Sequence, residues 1–327
     1  MDYEFKDCMD AGSEYCPCHL AESGDCIICS QLSGKNFCDC TNWKGVCIYQ
    51  EYKLNGSQAK GERETYNCKI VKKEMHEENL HIFTLNAPKS LAARISAPGS
   101  FVFVRDPKTN CYYDTPISIM ESDPEDSKIK FAIEKRGIKT KNVCLLQKGD
   151  IMTLRGPFWN GILGKKNLEA AINGTSVVIC RGIGIAPAIP VLKKLYGNGN
   201  KIIVLLDSMP FRNDFSKEYM DKYEAEVHHC TVIRQGALTE EFKYLLKEIK
   251  LREKINLIHC DGPDILIHQL LNFIDQNIKF SCCNNSRMCC GEGVCGTCST
   301  RYEGHKVKRL CKVQLDPKYI FKGRRLI

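Results

Sequence analysis

The rhythm of hydrophobic and polar positions changes twice along this 327-residue chain. Between residues 66 and 156, short runs alternate or are wholly apolar and are broken by turn residues: 66–75, 80–86, 101–105, 116–120, 128–134 and 151–155. Their β-branched and aromatic content and regular spacing predict an antiparallel barrel or sandwich. Residues 140–147 read as a short helix before its last strand. From 175 the rhythm becomes strand, helix, strand. Apolar runs at 176–180, 201–206, 227–233 and 255–259 alternate with helical patterns ending near 196, at 215–223, at 239–249 and from 263 to 274. That alternation predicts a parallel, doubly wound sheet. The first sixty residues follow neither rhythm; they hold few long apolar runs and end in a polar, glycine-containing linker at 55–61.

Composition narrows the class. Hydrophobic content of 43% and charged content of 26% are ordinary for a soluble protein with two or three cored domains. No apolar run is long enough to span a bilayer and the start is not a signal peptide, so a cytoplasmic protein without a membrane partner is expected. Disulfides are then not expected from its 21 cysteines. Eight of these fall within the first fifty residues and seven between Cys282 and Cys311, while six are scattered singly between. Clustering at both ends is what two metal sites would produce. The net charge of +8 is also uneven, with an acidic first sixty residues and a basic stretch from Arg301 to Arg325. The basic stretch reads as solvated surface or as a docking face for an acidic redox partner. Nucleic acid ranks last, because the stretch lacks the regularly interleaved aromatics expected of a platform for single strands.

Cys290, Cys295, Cys298 and Cys311 are spaced C-x4-C-x2-C-x12-C, with Gly291, Gly293 and Gly296 between the first three. Such spacing holds a plant-type [2Fe–2S] cluster: three thiolates from a tight loop and a fourth from the next strand close around two irons. A structural zinc site is the alternative, although it usually comes as two C-x2-C knuckles.

Gly182 and Gly184 lie where a strand feeds a helix, a place where backbone amides and the helix N-terminus can receive a phosphate. Glycines at strand–helix turns are also common without any ligand. Asp207 ends the following strand; a carboxylate there can accept from a ribose 2′-hydroxyl and would repel a 2′-phosphate, which favours NADH over NADPH.

Taken in order, these features resemble the ferredoxin–NADP reductase superfamily, and within it the electron-transfer subunit of dihydroorotate dehydrogenase and the small subunit of NADH-dependent ferredoxin–NADP oxidoreductase. The resemblance runs from about residue 66 to 315 and rests on four stretches: Thr115-Pro116-Ile117-Ser118-Ile119, Gly156-Pro157-Phe158-Trp159-Asn160-Gly161, Gly182-Ile183-Gly184-Ile185-Ala186-Pro187, and the cysteine quartet. It implies an α+β multidomain fold with four parts. These are a cysteine-rich N-terminal extension (1–60), an antiparallel β-barrel flavin domain (64–160), a doubly wound α/β nucleotide domain (170–279) and a C-terminal [2Fe–2S] loop subdomain with the basic tail (280–327). It implies that FAD contacts Thr115, Pro116, Ile117, Ser118, Ile133, Glu134, Lys135, Lys139 and Thr140. Gly182, Gly184, Asp261, Gly262 and Pro263 would line the NAD(P)H side.

The chain departs from the family at several of these places. Thr115 and Glu134 stand where arginines usually face the flavin phosphates, Lys139 replaces a glycine, Asp261 replaces a cysteine, and Cys180-Arg181 replaces two glycines. Lys135, Arg136 and Lys139 can supply positive charge instead.

The N-terminal cysteines lie outside the resemblance. Cys16, Cys18, Cys26, Cys29, Cys38, Cys40 and Cys47 are candidate ligands for one or two further iron–sulfur clusters or for zinc, with Cys8 the weakest candidate because it is nearest the terminus. Redox-sensing thiols are a third reading. The expected activity is that of an oxidoreductase passing electrons between NAD(P)H and a partner subunit or ferredoxin, through FAD and the cluster, with no side chain acting as a catalytic acid, base or nucleophile. The competing expectations are a partner-bound electron-transfer module without NAD(P)H turnover of its own, and a zinc-stabilised interaction protein on a reductase-like scaffold.

Overall fold

A computed structural model of the chain describes residues 7–38, 43, 45–212, 214–302 and 306–321. The chain divides into two units, one formed by residues 65–285 and 316–327 and the other by residues 1–64 and 286–315.

The first unit is built on two sheets. Strands β1 (Thr65–Glu77), β2 (Leu80–Asn86), β3 (Phe101–Arg105), β4 (Thr115–Ser118), β5 (Glu121–Asp123), β6 (Lys128–Glu134) and β7 (Ile151–Phe158) form an antiparallel sheet ordered β4-β3-β7-β1-β2-β6-β5. Its edge strands β4 and β5 do not pair with each other, so the expected barrel is an open, curled sheet. The second sheet contains β8 (Ile162–Leu163), β9 (Thr175–Arg181), β10 (Lys201–Asp207), β11 (Glu226–His229), β14 (Ile255–Asp261) and β15 (Lys279–Cys283), in the order β11-β10-β9-β14-β15-β8. All neighbours are parallel except β8, which pairs antiparallel with β15. A small hairpin, β12 (Ile233–Arg234) with β13 (Ala237–Leu238), stands apart.

Period-two alternation explains how the sheets share a core. On β2, Leu80 and Ile82 pack with the α/β side, whereas Phe83 and Leu85 face the concave interior of the curled sheet. On β6, Ala132 joins the former group, and Ile129, Phe131 and Ile133 the latter. Both faces of these strands are therefore covered, so they read as nearly continuous apolar runs. The expected helices appear at Ile138–Val143, Ile185–Gly197, Lys217–Lys222, Glu240–Arg252 and Asp264–Phe273. Thr239 caps the fourth, its hydroxyl accepting from the Phe242 amide at 3.2 Å. Two short helices, Lys89–Arg94 and Lys165–Glu169, were not legible as periodic runs.

The second unit corrects the expected division of the chain. The N-terminal segment and the cysteine loop, placed at opposite ends of the sequence, fold together. Cys8 bridges antiparallel to Val313, the Gln314 amide donates to the Asp7 carbonyl, and Met9 donates to Lys312. Hairpin β16 (Ser299–Tyr302) and β17 (Lys306–Arg309) completes the loop. The expected subdomain boundary at 280 also moves, since residues 279–283 are a strand of the α/β sheet and residues 316–321 return to the first unit. Apolar burial in this second unit is thin: Ala21, Leu32 and Ile48 form its N-terminal cluster, with half-buried Cys16, Cys26 and Cys29 packed against them.

At its centre lies an ionic cluster. The Arg63 guanidinium meets Asp10 Oδ1 and Glu292 Oε2, each at 2.6 Å, and Lys312 Nζ meets Glu292 at 3.0 Å and Asp10 Oδ2. Arg63, Lys312 and Asp10 have side chains at most 3% exposed. Two cations and two carboxylates thus neutralise one another. Burial acts against the Lys312 ammonium, but Asp10 and Glu292 overcome it and raise its pKa.

Candidate cofactor and metal sites

Between β9 and β14 the strand order reverses, and the carboxyl ends of strands at such a switch point are the usual ligand position in these sheets. Gly182 and Gly184 lie beyond β9, and Asp261, Gly262 and Pro263 end β14 and enter the next helix. The structure brings them together. A Cβ on Gly184 would stand 2.3 Å from the Asp261 carbonyl oxygen, and one on Gly262 would stand 3.6 Å from Arg181 Cβ. Gly182 has φ +56°, and a Cβ there would meet the Met209 carbonyl at 2.9 Å. Gly182 and Gly184 are thus required first by neighbouring backbone, whereas a Cβ on Gly262 would meet the Leu266 side chain at 2.8 Å.

Asp207 is a correction. It is buried, its Oδ1 accepts from the Met209 amide at 3.1 Å, and its Oδ2 accepts from Arg181 Nε and the Val232 amide, each at 3.1 Å. A carboxylate so occupied ties the end of β10 to two neighbouring segments rather than presenting itself to a ribose.

Asp261 differs. His259 Nε2 lies 2.9 Å from its Oδ2 and His259 Nδ1 lies 2.7 Å from Ser281 Oγ, all buried. Asp261 Oδ1 is also buried but has no hydrogen-bond partner among the described residues. A bound group with an N–H donor would satisfy it. Sequence reasoning missed His259 and Ser281, whose link crosses between β14 and β15. It also missed Cys283, whose Sγ donates to the Gly262 carbonyl at 3.3 Å. A thiol therefore reaches this loop from β15, although Asp261 occupies the family's cysteine position. The Cys282-Cys283 doublet closing an apolar run was the available signal.

On the curled sheet, β4 pairs on one side only, leaving Thr115, Pro116, Ile117 and Ser118 half-buried along an edge. Lys139 Nζ donates to the Asp114 carbonyl at 3.0 Å, directly before that edge. The Asp114 carboxylate is held by Arg105 at 2.8 Å and Arg155 at 3.1 Å. Ile133 is buried in the sheet interior, Glu134 pairs with Arg136 at 2.8 Å, and the Thr140 hydroxyl accepts from the Arg136 and Gly137 amides. The Lys135 amide donates to Asn79 at 2.7 Å. The open edge strand with a lysine at its start fits an anionic, elongated cofactor.

The C-terminal thiols gather in two pairs. Cys290 hydrogen-bonds Cys295, Cys298 hydrogen-bonds Cys311, and the charge of Cys290 is felt at Cys311. Burial opposes the Cys295 thiolate, yet the Thr297 hydroxyl and amide and Cys290 draw its pKa down to about 7. The hydrogen bond from Cys311 draws Cys298 down to about 6, and the shared proton raises Cys311 correspondingly. The Glu292 amide reaches Cys290 Sγ at 3.3 Å, and the Cys311 amide reaches Cys298 Sγ at 3.4 Å. Two sulfur pairs with amides aimed at them suit two irons, each taking two thiolates. Among the described residues, no three His, Cys, Asp or Glu side chains converge as ligands of a single ion.

In the N-terminal segment, Cys8, Cys16, Cys18 and Cys26 line one cavity. Burial raises the Cys8 and Cys26 thiols and pushes Cys16 up to about 11. Here the structure revises the candidate ligands. Cys8 belongs to the cavity, while Cys29, Cys38 and Cys47 are not in its wall. Cys29 instead donates its amide to Cys26 Sγ at 3.4 Å, Cys38 is exposed, and Cys47 stands just before the helix Ile48–Leu54 without a side-chain capping bond. Cys40 lies outside the described residues.

No family model matches the sequence. The dihydroorotate dehydrogenase B (NAD(+)) electron transfer subunit of Clostridium acetobutylicum is 26% identical over 216 residues, which is 66% of this chain and 81% of that protein. The corresponding subunit of Enterococcus faecalis strain V583 is 23% identical over 252 residues, covering 75% and 92%. A solved structure of NADH-dependent reduced ferredoxin-NADP oxidoreductase, described in connection with flavin-based electron bifurcation, superposes with a TM-score of 0.61 at 21% identity, covering 76% of this chain and 86% of that one. The chain thus has homologues among dihydroorotate dehydrogenase electron-transfer subunits and shares a ferredoxin–NADP reductase-like fold.

Proposed function

We propose that this chain is an electron-transfer oxidoreductase component that links NAD(P)H to a partner protein through FAD and a [2Fe–2S] cluster. The pairing of Cys290 with Cys295 and of Cys298 with Cys311 carries the reading, because it provides two thiolates for each of two irons. The flavin supplies the conversion between two-electron and one-electron chemistry. The chain's own residues hold and orient. The edge Thr115–Ser118 with Lys139 takes the flavin, with Lys135, Glu134, Ile133 and Thr140 beside it. Gly182, Gly184, Gly262 and Pro263 frame the nucleotide crevice, where Asp261 Oδ1 accepts from the nicotinamide amide. The exposed cations Arg301 and Lys306 on hairpin β16–β17 offer a face to an acidic redox partner.

The test is anaerobic purification followed by flavin, iron and sulfide counts and mixing with NADH. The reading expects bleaching of flavin absorbance on mixing, and loss of about two irons per chain in Cys298→Ala. Colourless protein lacking acid-labile sulfide would sink it. A second reading, a partner-bound module silent towards NAD(P)H, is favoured by Arg181, which stands where the family has a glycine and pairs with Asp207 on the neighbouring strand at 3.1 Å. It predicts bound flavin and iron with a spectrum unchanged by NADH or NADPH.

A further inference from the structure

The cavity walled by Cys8, Cys16, Cys18 and Cys26 lies outside the stretch from about residue 66 to 315 that carries the family resemblance. One of its sulfurs receives a backbone amide, the Cys29 N–H donating to Cys26 Sγ at 3.4 Å. Amides aimed at sulfur stabilise thiolate charge, which a metal-bound cysteine carries and a buried neutral thiol does not. The remaining wall is apolar, including Leu20, Ala21, Ile28 and Ile48. The thin apolar core around it is what small metal-stapled units have in place of a large one. The four thiols wall one small space in the same unit as the C-terminal quartet. Four cysteines beside a candidate one-electron carrier suit an iron–sulfur cluster, whereas zinc carries no electrons.

We infer that Cys8, Cys16, Cys18 and Cys26 bind a [4Fe–4S] cluster. Its neighbour is the C-terminal quartet. Cys8 bridges to Val313, two residues beyond Cys311, and a Cβ on Gly293, inside the quartet loop, would stand 3.0 Å from Leu20 Cδ1. If the proposed function holds, the second cluster passes single electrons between the quartet and the partner, each iron change being one ferric–ferrous step with no bond made or broken.

Metal binding itself is tested independently of that function. Iron, sulfide and zinc are counted in anaerobically purified full-length protein and in two variants, with Mössbauer spectra of iron-57-labelled unmodified protein. The inference expects about six irons and six sulfides per chain, falling to about two in Cys16→Ala/Cys18→Ala and to about four in Cys295→Ala/Cys298→Ala. The unmodified protein should show two iron populations in a ratio of about two to one. If the N-terminal variant fails to fold, the spectrum of the unmodified protein still decides. A single binuclear population, or zinc that disappears with Cys16 and Cys18, would overturn the inference while leaving the proposed function intact. Iron unaffected by Cys295→Ala/Cys298→Ala would instead overturn the proposed function and leave the N-terminal cluster standing.

Discussion

The two units of this chain are stabilised by different physics. Residues 65–285 bury large side chains in quantity, among them Phe83, Phe103, Phe131, Phe242 and Phe280, with strands β2 and β6 of the antiparallel sheet packed on both faces. Residues 7–64 and 286–315 bury few large apolar groups and are joined by buried ions and clustered thiols. The first unit needs only its side chains to be apolar and of the right volume. The second depends on charge balance and on what its thiols bind. One unit should therefore be indifferent to metal and the other governed by it.

The most severe way to break this contrast is metal removal. Chelation under reducing, anaerobic conditions should collapse hydrogen-exchange protection throughout residues 7–64 and 286–315, as in small domains that fold only with metal. Protection of β9, β10 and β14 should not change. Equal protection before and after stripping would mean that the thiol-rich unit stands on its own core.

The next effect tests the ionic cluster. Breaking a buried pair leaves an uncompensated charge and costs about 3–5 kcal/mol. Lys312→Met and Asp10→Asn should each destabilise the thiol-rich unit by about that amount, read as earlier exchange of its amides and lower iron retention. Phe280→Ala should cost a comparable 3–5 kcal/mol in the other unit without any loss of iron. Replacing Arg63, Lys312, Asp10 and Glu292 together by apolar residues could restore stability, because such clusters are costly to break rather than strongly stabilising in themselves.

This division also sets what was legible in the sequence. In the two-sheet unit, pairs such as β1–β2, β3–β4, β5–β6 and β9–β10 join strands near in sequence, although β1–β7, β2–β6 and β9–β14 do not. Period-two alternation at Leu80, Ile82, Phe83 and Leu85 reports the packing directly. The turn at Gly182 and Gly184, the cysteine quartet and their order were readable for the same reason, each being a local pattern. The closing of the thiol-rich unit was not. Asp10 meets Lys312 across 302 positions and Arg63 meets Glu292 across 229, and no periodicity records such contacts. Cys8 was discounted for lying near the terminus, although its bridge to Val313 pins it in the unit. Asp207 was misread because strand-end aspartates look alike in sequence, whether they face a ligand or tie down loops.

A smaller effect sharpens the picture at the crevice. Gly184→Ala would force a methyl to within 2.3 Å of the Asp261 carbonyl, so one backbone segment must shift. Misplacement of about 1 Å at a reacting centre can cost about 100-fold in rate. Flavin reduction by NADH, followed by stopped flow, should slow by up to that factor, with iron content unchanged. Unaltered kinetics would show that this loop does not position the nucleotide.

The mildest prediction concerns pH and belongs to the two-sheet unit alone. Burial pushes the thiols of Cys68 and Cys144 from the ordinary 9.0 to about 11. A thiol with a raised folded pKa is neutral in the native state while the unfolded chain already ionises, so its stabilisation is complete below pH 9. It is then lost progressively between about pH 9 and 11. Other groups also titrate there, so the informative quantity is a difference in slope. In a Trp43→Phe background, Trp159 is the one remaining indole and reports urea unfolding of this unit. The midpoint should fall between pH 8.5 and 10.5, about two units chosen to span the thiol window. It should fall less steeply in Cys68→Ala/Cys144→Ala, which has no thiol to ionise at either site. Parallel slopes in the two proteins would mean that these cysteines titrate alike whether the sheet is folded or not, and that their burial in the apolar core contributes nothing to its pH response.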